Sequence, residues 1–439
     1  MLLLAFAAIS GLIKPPAVCH VMATDLEEPT ESTNQTGESL GLRTEAGMRL
    51  RPIIIYFNGT FVRRENGAHS RVAELIRFAL DQSEQVILYS YANHWSCPWG
   101  SEEINRFRRE FPRVRLFLDR RSPALSFLTR LKAWLVSAWP QLADWVINLS
   151  IPGLTPRYDE LCAITDNPLL IVNYASGLVE LNGVRRRQAI IETHDLQFLS
   201  AAKALGRKLT APKTMLRARC ELELLSHATA LIAIASPETG MFRLFYPGLP
   251  VFFIPTYGRP ILERISATVD FRYDLLFVGS ENALNIAGLC GFIEEHRAWL
   301  KKLRFAIAGR ICLITRLRDA VRGLEGVDLV GYVEDLAPIF RSSKVVISPV
   351  DGTGLKIKVI DALAAGKPVF GSRQSLEALP AGFNQCVFPL SESGIDALLK
   401  DDQARQAAER DALSYASKLV INGDLLEFRA YLATKFARA

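Results

Sequence analysis

The chain has 439 residues, 49% of them hydrophobic and 22% charged, with a formal net charge of +6. That length exceeds one ordinary core and predicts two domains plus a tail, while the supply of apolar residues excludes wholesale disorder. Its seven cysteines (Cys19, Cys97, Cys162, Cys220, Cys290, Cys312, Cys386) form no CxxC pairs and have no histidines at ligand spacing. The pattern points to neither zinc nor a disulfide framework, and the odd count favours a reducing compartment. Asn34, Asn58 and Asn148 open sequons that would matter only in a secreted chain.

Met1 to Ile13 is apolar but shorter than a membrane span, and no positive region precedes it. Val21-Met22-Ala23 offers a cleavage site, and Thr24 to Ala46 is polar and acidic. Residues 1–47 therefore read as a flexible leader, or as a stretch upstream of a true start at Met48. Ile53 to Phe57 is β-branched and apolar and runs into Asn58-Gly59, as a buried strand does before a turn. A glycine-containing loop follows from Arg63 to Ser70, and then Val72, Leu75, Ile76, Ala79 and Leu80 recur at helical spacing. Val86–Tyr89 and Val114–Leu118 are the next strands.

Between Arg106 and Lys132, nine basic residues stand against two acidic ones. Such a window suggests an anionic partner, phospholipid or phosphorylated substrate, or else a solvated helix face. Leu125 to Leu149 is apolar, carries Trp134, Trp139 and Trp145, and breaks at Pro140. It fits either a helix in a membrane interface or an internal helix pair with its tryptophans in the core. Strands resume at Leu169–Val172, Ala189–Ile191, Ala230–Ala235 and Val251–Ile254, with Pro255 to Pro260 as the expected linker. A second series follows at Leu275–Val278, Phe305–Ala308, Val327–Val330, Val345–Ile347 and Pro368–Phe370. Strands alternating with helices predict two doubly wound α/β domains, 48–255 and 261–410, facing a cleft, with 411–439 as helices returning to the first domain.

The strongest motif runs from Ile347 to Val369 and contains Gly352-Thr353-Gly354-Leu355-Lys356-Ile357-Lys358. A strand delivers a glycine loop that opens a helix, and the helix stops at Gly366. Glycines let backbone amides approach a ligand, the helix start adds partial positive charge, and Lys356 and Lys358 can reach phosphate oxygens. Asp361 can accept from ribose hydroxyls. In the first half, Glu192-Thr193-His194-Asp195 ends a strand, where α/β sheets place ligand contacts; His194 can hydrogen-bond a sugar and Asp195 can orient it. Gly67 permits close approach, and Arg63, Arg64 or Arg71 can bind an acceptor phosphate.

Asp361-Ala362-Leu363-Ala364-Ala365-Gly366-Lys367-Pro368-Val369 resembles the donor-domain helix of the retaining GT-B glycosyltransferases called group 1 or family four. Phe277-Val278-Gly279-Ser280, Ile307-Ala308-Gly309-Arg310 and Val330-Gly331-Tyr332-Val333 resemble three further loops of that domain, and Arg63 to Arg71 its first loop. The family commonly has glutamates where this chain has Thr353 and Asp361. The resemblance implies a GT-B fold, a nucleotide-diphosphate sugar as substrate, no metal or other cofactor, and transfer with retention to a sugar, lipid-linked or polysaccharide acceptor. It implies donor contacts at Gly279, Ser280, Gly309, Arg310, Gly331, Tyr332, Val333, Thr353, Gly354, Leu355, Lys356, Lys358 and Asp361, with His194, Asp195 and Asp361 at the reacting centre. The expected setting is cytoplasmic, with peripheral contact at the inner face of the membrane through 106–149 and no nucleic-acid partner. Two alternatives stay open: a nucleotide-sugar epimerase on the same scaffold, and a catalytically silent sugar- or nucleotide-binding protein. Neither GxGxxG nor GxxxxGK[ST] is present, which disfavours dinucleotide and P-loop enzymes.

Overall fold

The computed structural model describes residues 50–437 except 152, 183–188, 259–270, 353, 384 and 422. The leader, the last two residues of the expected linker, and Thr353 thus lie outside the described residues. Seven parallel strands form the first sheet: β1 (Ile53–Tyr56), β2 (Val86–Tyr91), β3 (Val114–Asp119), β4 (Leu169–Asn173), β5 (Ala189–Thr193), β6 (Ala230–Ala233) and β7 (Val251–Phe253). Their order is β3-β2-β1-β4-β5-β6-β7. A second sheet, ordered β10-β9-β8-β11-β12-β13, holds β8 (Tyr273–Val278), β9 (Phe305–Ala308), β10 (Val327–Gly331), β11 (Ser343–Ser348), β12 (Val369–Gly371) and β13 (Val387–Pro389).

Strands buried on both faces read as continuous apolar runs, and IIIY, LLIV and VVI are such runs. In both sheets the order reverses beside the first strand, at β1/β4 and β8/β11. The crevice at the carboxyl ends of parallel strands next to that reversal is where such sheets bind ligands. All strands expected from the sequence are present; β13 was not expected. It is a short run that ends in Pro389, which only an edge strand tolerates.

Local signals set the helix starts. Asn66 Oδ1 accepts from the His69 amide at 3.1 Å and caps Gly67–Gln82. Ser122 caps Pro123–Ala138, with proline at the first turn. The final helix, Leu425–Phe436, inserts Leu425, Phe428, Leu432 and Phe436 into the core beneath the first sheet. Phe428 stacks on Phe78 at 5.8 Å, and Asp424 accepts from the Phe253 amide at 2.7 Å.

Candidate functional site

Three loops expected to meet the donor form one ridge at the ends of β8, β9 and β10. The Gly279 amide donates to Ala308 O at 2.9 Å, and the Gly309 amide donates to Gly331 O at 2.7 Å. Gly309 has φ +103°, and a Cβ there would lie 2.2 Å from Gly279 O, so only glycine fits. Lys358 and Ser280 belong to the same ridge through a residue the sequence reading passed over. Lys358 Nζ donates to Asn285 Oδ1 at 2.9 Å, and Asn285 Nδ2 donates to Ser280 O and Oγ, each at 3.2 Å. The ammonium also sits 4.2 Å over the Phe277 ring. Burial, reinforced by the Lys356 charge, holds the Lys358 amine well below its ordinary pKa. An anion arriving there restores the charged form.

The glycine loop brings the two sheets together. Gly354 has φ +72°, and a Cβ on it would lie 2.9 Å from His194 O and 3.1 Å from Asp195 Cβ. Lys356 Nζ donates to Gly354 O at 2.9 Å. Burial lowers its pKa to about 8 despite the opposing pull of Asp195 and Glu238. The helix starts at Ile357, so half-buried Asp361 stands about one turn inside it. Gly67 also marks a close approach, since a Cβ there would lie 2.8 Å from Ile357 Cγ1. Tyr332, its neighbour Val333 half-buried, donates through its hydroxyl to Arg63 O. Leu355 is buried in the second core.

His194 follows β5 and is buried. Its Nε2 is 2.8 Å from Asn173 Oδ1, which only accepts, so this nitrogen carries the proton. Its ring stacks on Tyr174 at 4.6 Å. Asp195 accepts from the Ser200 hydroxyl. Beside them stand two carboxylates to which the sequence reading gave no role. Glu221 accepts from the Gln197 and Phe198 amides at 2.9 and 2.8 Å and is pushed up to about 7 by burial. Glu238 is 7% exposed, its Oε2 has no partner, and burial together with Asp195 pushes its pKa up to about 8. Each comes from a helix remote in sequence, so no local motif announces them.

The structure gives the acceptor-side arginines other work. Arg71 is sealed from solvent; its Nε donates to Glu192 Oε1 at 2.8 Å, its Nη2 to Ile254 O at 2.7 Å, and it lies 4.1 Å from the Tyr257 ring centroid. Although burial pushes Glu192 up, the Arg71 charge and a contact from His194 outweigh it and hold the carboxyl below its usual range. Arg71 is therefore a brace under β5 and presents nothing to an acceptor. Arg64 donates to Glu110 and to Phe61 O, and Arg63 pairs with Glu102 and Glu103. Arg310 donates to Glu281 Oε2 at 2.7 Å and across the cleft to Glu65 Oε1 at 2.9 Å, so a diphosphate would have to displace or share these carboxylates. A cavity of about 300 Å³ opens between Thr60, Arg63, His69, Trp99 and Arg310. Its wall contains His69, which the sequence reading left without a role. Burial and the Arg64 charge lower His69 to about 4, and its Nδ1 has no partner.

The basic window divides. Arg106 pairs with Glu334 of the second sheet's domain, Arg121 with Glu180, and Lys132 is buried with its Nζ on Leu149 O at 2.9 Å. Trp134 and Trp145 are about half exposed and do not enter the core. The internal-pair alternative for Leu125 to Leu149 thus fails for the tryptophans, although Leu125, Leu128, Leu135 and Val136 do pack inward.

Two parallel-sheet Rossmann-like domains with sites at the strand ends define the GT-B architecture of glycosyltransferases. Residues 272–400, the second domain, match the family described as "Glycosyl transferases group 1". Among solved structures the fold is similar to sucrose-phosphate synthase from Thermosynechococcus elongatus, with TM-score 0.61, 14% identity, and 88% of this chain and 100% of that chain covered. It is similar to a TarM mutant from S. aureus in complex with fondaparinux, alpha-GlcNAc-glycerol and UDP, with TM-score 0.60, 9% identity and coverage of 88% and 100%. It is also similar to HepE from Anabaena in complex with UDP and glucose, with TM-score 0.57, 13% identity and coverage of 88% and 100%. No curated protein sequence matches the chain.

Proposed function

We propose that the chain is a glycosyltransferase that moves a sugar from a nucleotide-diphosphate sugar to a lipid-linked or polysaccharide acceptor with retention of configuration. The observation that carries this reading is the contact of Gly354 with His194 and Asp195. It sets the anion-binding loop of one domain against the sugar-facing strand end of the other. Lys356, Lys358, Arg310 and the glycine-loop amides would hold the diphosphate, and Gly331 to Val333 would meet the base. His194 Nε2–H and Asp195 would orient the sugar. As the sugar–phosphate bond loosens toward an oxocarbenium-like state, these cations stabilise the departing oxygen, which takes the acceptor proton on the same face. The protein then contributes positioning and electrostatics.

UDP is the nucleotide to try first, because two of the similar structures hold it. A thermal-shift series with UDP, GDP and ADP and their sugars tests the donor half. A rise in Tm that Lys356→Met reduces is expected; no rise with any nucleotide overturns the reading. Incubation with donor alone and then with acceptors separates the alternatives, since an epimerase converts the sugar without acceptor and a silent binder releases no nucleotide with any acceptor. NMR of the product anomer tests retention.

A further inference from the structure

We infer that the first domain docks on an anionic lipid surface through a composite face built from two segments 60 or more positions apart, Phe127 to Trp145 and Leu205 to Arg219. This deepens the acceptor half of the proposed function and rests on that reading only there. The two segments are joined in space: Ser137 Oγ, on helix Pro123–Ala138, donates to Leu216 O of helix Pro212–Ser226 at 3.2 Å. Each leaves large apolar side chains in water. Phe127, Trp134 and Trp145 do so on the first, and Leu205, Leu209, Met215 and Leu216 on the second, all between 46% and 59% exposed. Phe127 and Trp134 are seven residues apart on one helix and so share a face. Trp134 packs edge-on against Trp139 at 5.2 Å, an aromatic pair at the surface.

The charge comes from a place the sequence reading did not single out. From Gln197 to Cys220 there is no acidic residue, while Arg207, Lys208, Lys213, Arg217 and Arg219 are all exposed. Aromatic and aliphatic side chains ringed by cations complement an anionic headgroup layer, with tryptophan at the depth where ring and headgroup meet. A second copy of the same face would bring these five cations against five, so self-association is the less complementary use. Among the described residues no helix is long and apolar enough to cross a membrane, which leaves a contact in the plane of the surface. Helix Gln197–Ala204 begins two residues after Asp195 and ends at Leu205. The face is therefore about 12 Å of helix from the reacting centre, within reach of an acceptor headgroup.

Flotation of the full chain with phosphatidylcholine vesicles, with and without phosphatidylglycerol, tests the inference. The expected result is binding at least about tenfold tighter to the anionic vesicles, weakened by added salt. Both a Trp134→Ala/Trp145→Ala pair and an Arg207→Glu/Lys208→Glu/Lys213→Glu triple should lower it about tenfold. Their thermal shifts with UDP should stay unchanged, which also shows that they are folded. Failure of the wild type to float, or variants that float like it, overturns the inference. So does light scattering that shows a dimer which the tryptophan pair converts to monomer. Vesicle binding without any nucleotide shift would leave the docking face standing and remove the donor reading.

Discussion

The two walls of the cleft are built differently. The wall from the second domain is mostly backbone: the Gly309 amide donates to Gly331 O, the Gly279 amide to Ala308 O, and Gly309 and Gly354 adopt positive φ that their surroundings require. The wall from the first domain is side-chain chemistry: His194 on Asn173 and Tyr174, Asp195 on Ser200, and Glu238 beside them, with the buried Arg71–Glu192 pair next to His194. A backbone wall is specified where each glycine stands. A side-chain wall depends on partners from four or five elements and is correspondingly easier to break at a distance.

The largest effect should come from that distance. Arg71→Met leaves the Glu192 carboxylate buried without its cation, which should cost about 3–5 kcal/mol in urea unfolding followed by tryptophan fluorescence. Adding Glu192→Gln should recover most of the loss, because the uncompensated charge and not the missing pair is what destabilises. A double variant no better than the single would mean that Arg71 acts mainly through its Ile254 bond and Tyr257 packing. Next in size, Gly354→Ala should lower transfer about 100-fold, because the methyl meets His194 O and shifts the two walls apart. Gly352→Ala is the contrast on the same loop. Its methyl meets only the side chains of Leu284 and Lys356, at 3.2 and 3.3 Å, and should change the rate about twofold or less. Equal losses from both would remove the special standing of the Gly354 contact.

The same division explains what could be read from the sequence. The strand runs, the alternation with helices and the loops at Gly279, Gly309, Gly331 and Gly354 were legible because apolar period and glycine placement are local signals. His194-Asp195 was legible by its place at a strand end. Glu238 and Asn285 were not, since a half-turn of ordinary helix carries no mark of the charge or loop it will face. Arg71 was misjudged for a related reason: an arginine beside a glycine loop looks exposed until the strand carrying Glu192 is laid beneath it. His69 lacked companions in sequence and gains Asn66, Cys97 and Phe57 only in the fold.

The donor side can be probed by pH. In the free protein the Lys356 ammonium is present below about pH 8 and lost as pH rises through it, because burial has lowered its pKa while Asp195, Glu238 and Asp351 hold it partly up and Lys203 opposes them. Nucleotide affinity should therefore be level at neutral pH and fall above about pH 8 by up to tenfold per unit, measured by calorimetry. Lys356→Met should be about tenfold weaker at neutral pH and flat across the range. Lys356→Arg should keep its affinity to higher pH.

The smallest effect, when read near pH 5, falls on Glu238. Burial and Asp195 raise its pKa from 4.5 to about 8, so between those values the folded chain binds more protons than the unfolded one. The stability this contributes is complete below about pH 4.5 and lost as pH climbs through about 8, at most about 5 kcal/mol in all at about 1.4 kcal/mol per unit. Gln matches the shape of the protonated acid and does not titrate. Glu238→Gln should thus match wild type near pH 4.5 and hold its Tm while the wild type declines from about pH 4.5 to about pH 8, the gap reaching about 3 kcal/mol by pH 7. Parallel Tm profiles for the two would place the origin of that decline elsewhere and leave Glu238 as a buried acid without influence on the wall around Asp195.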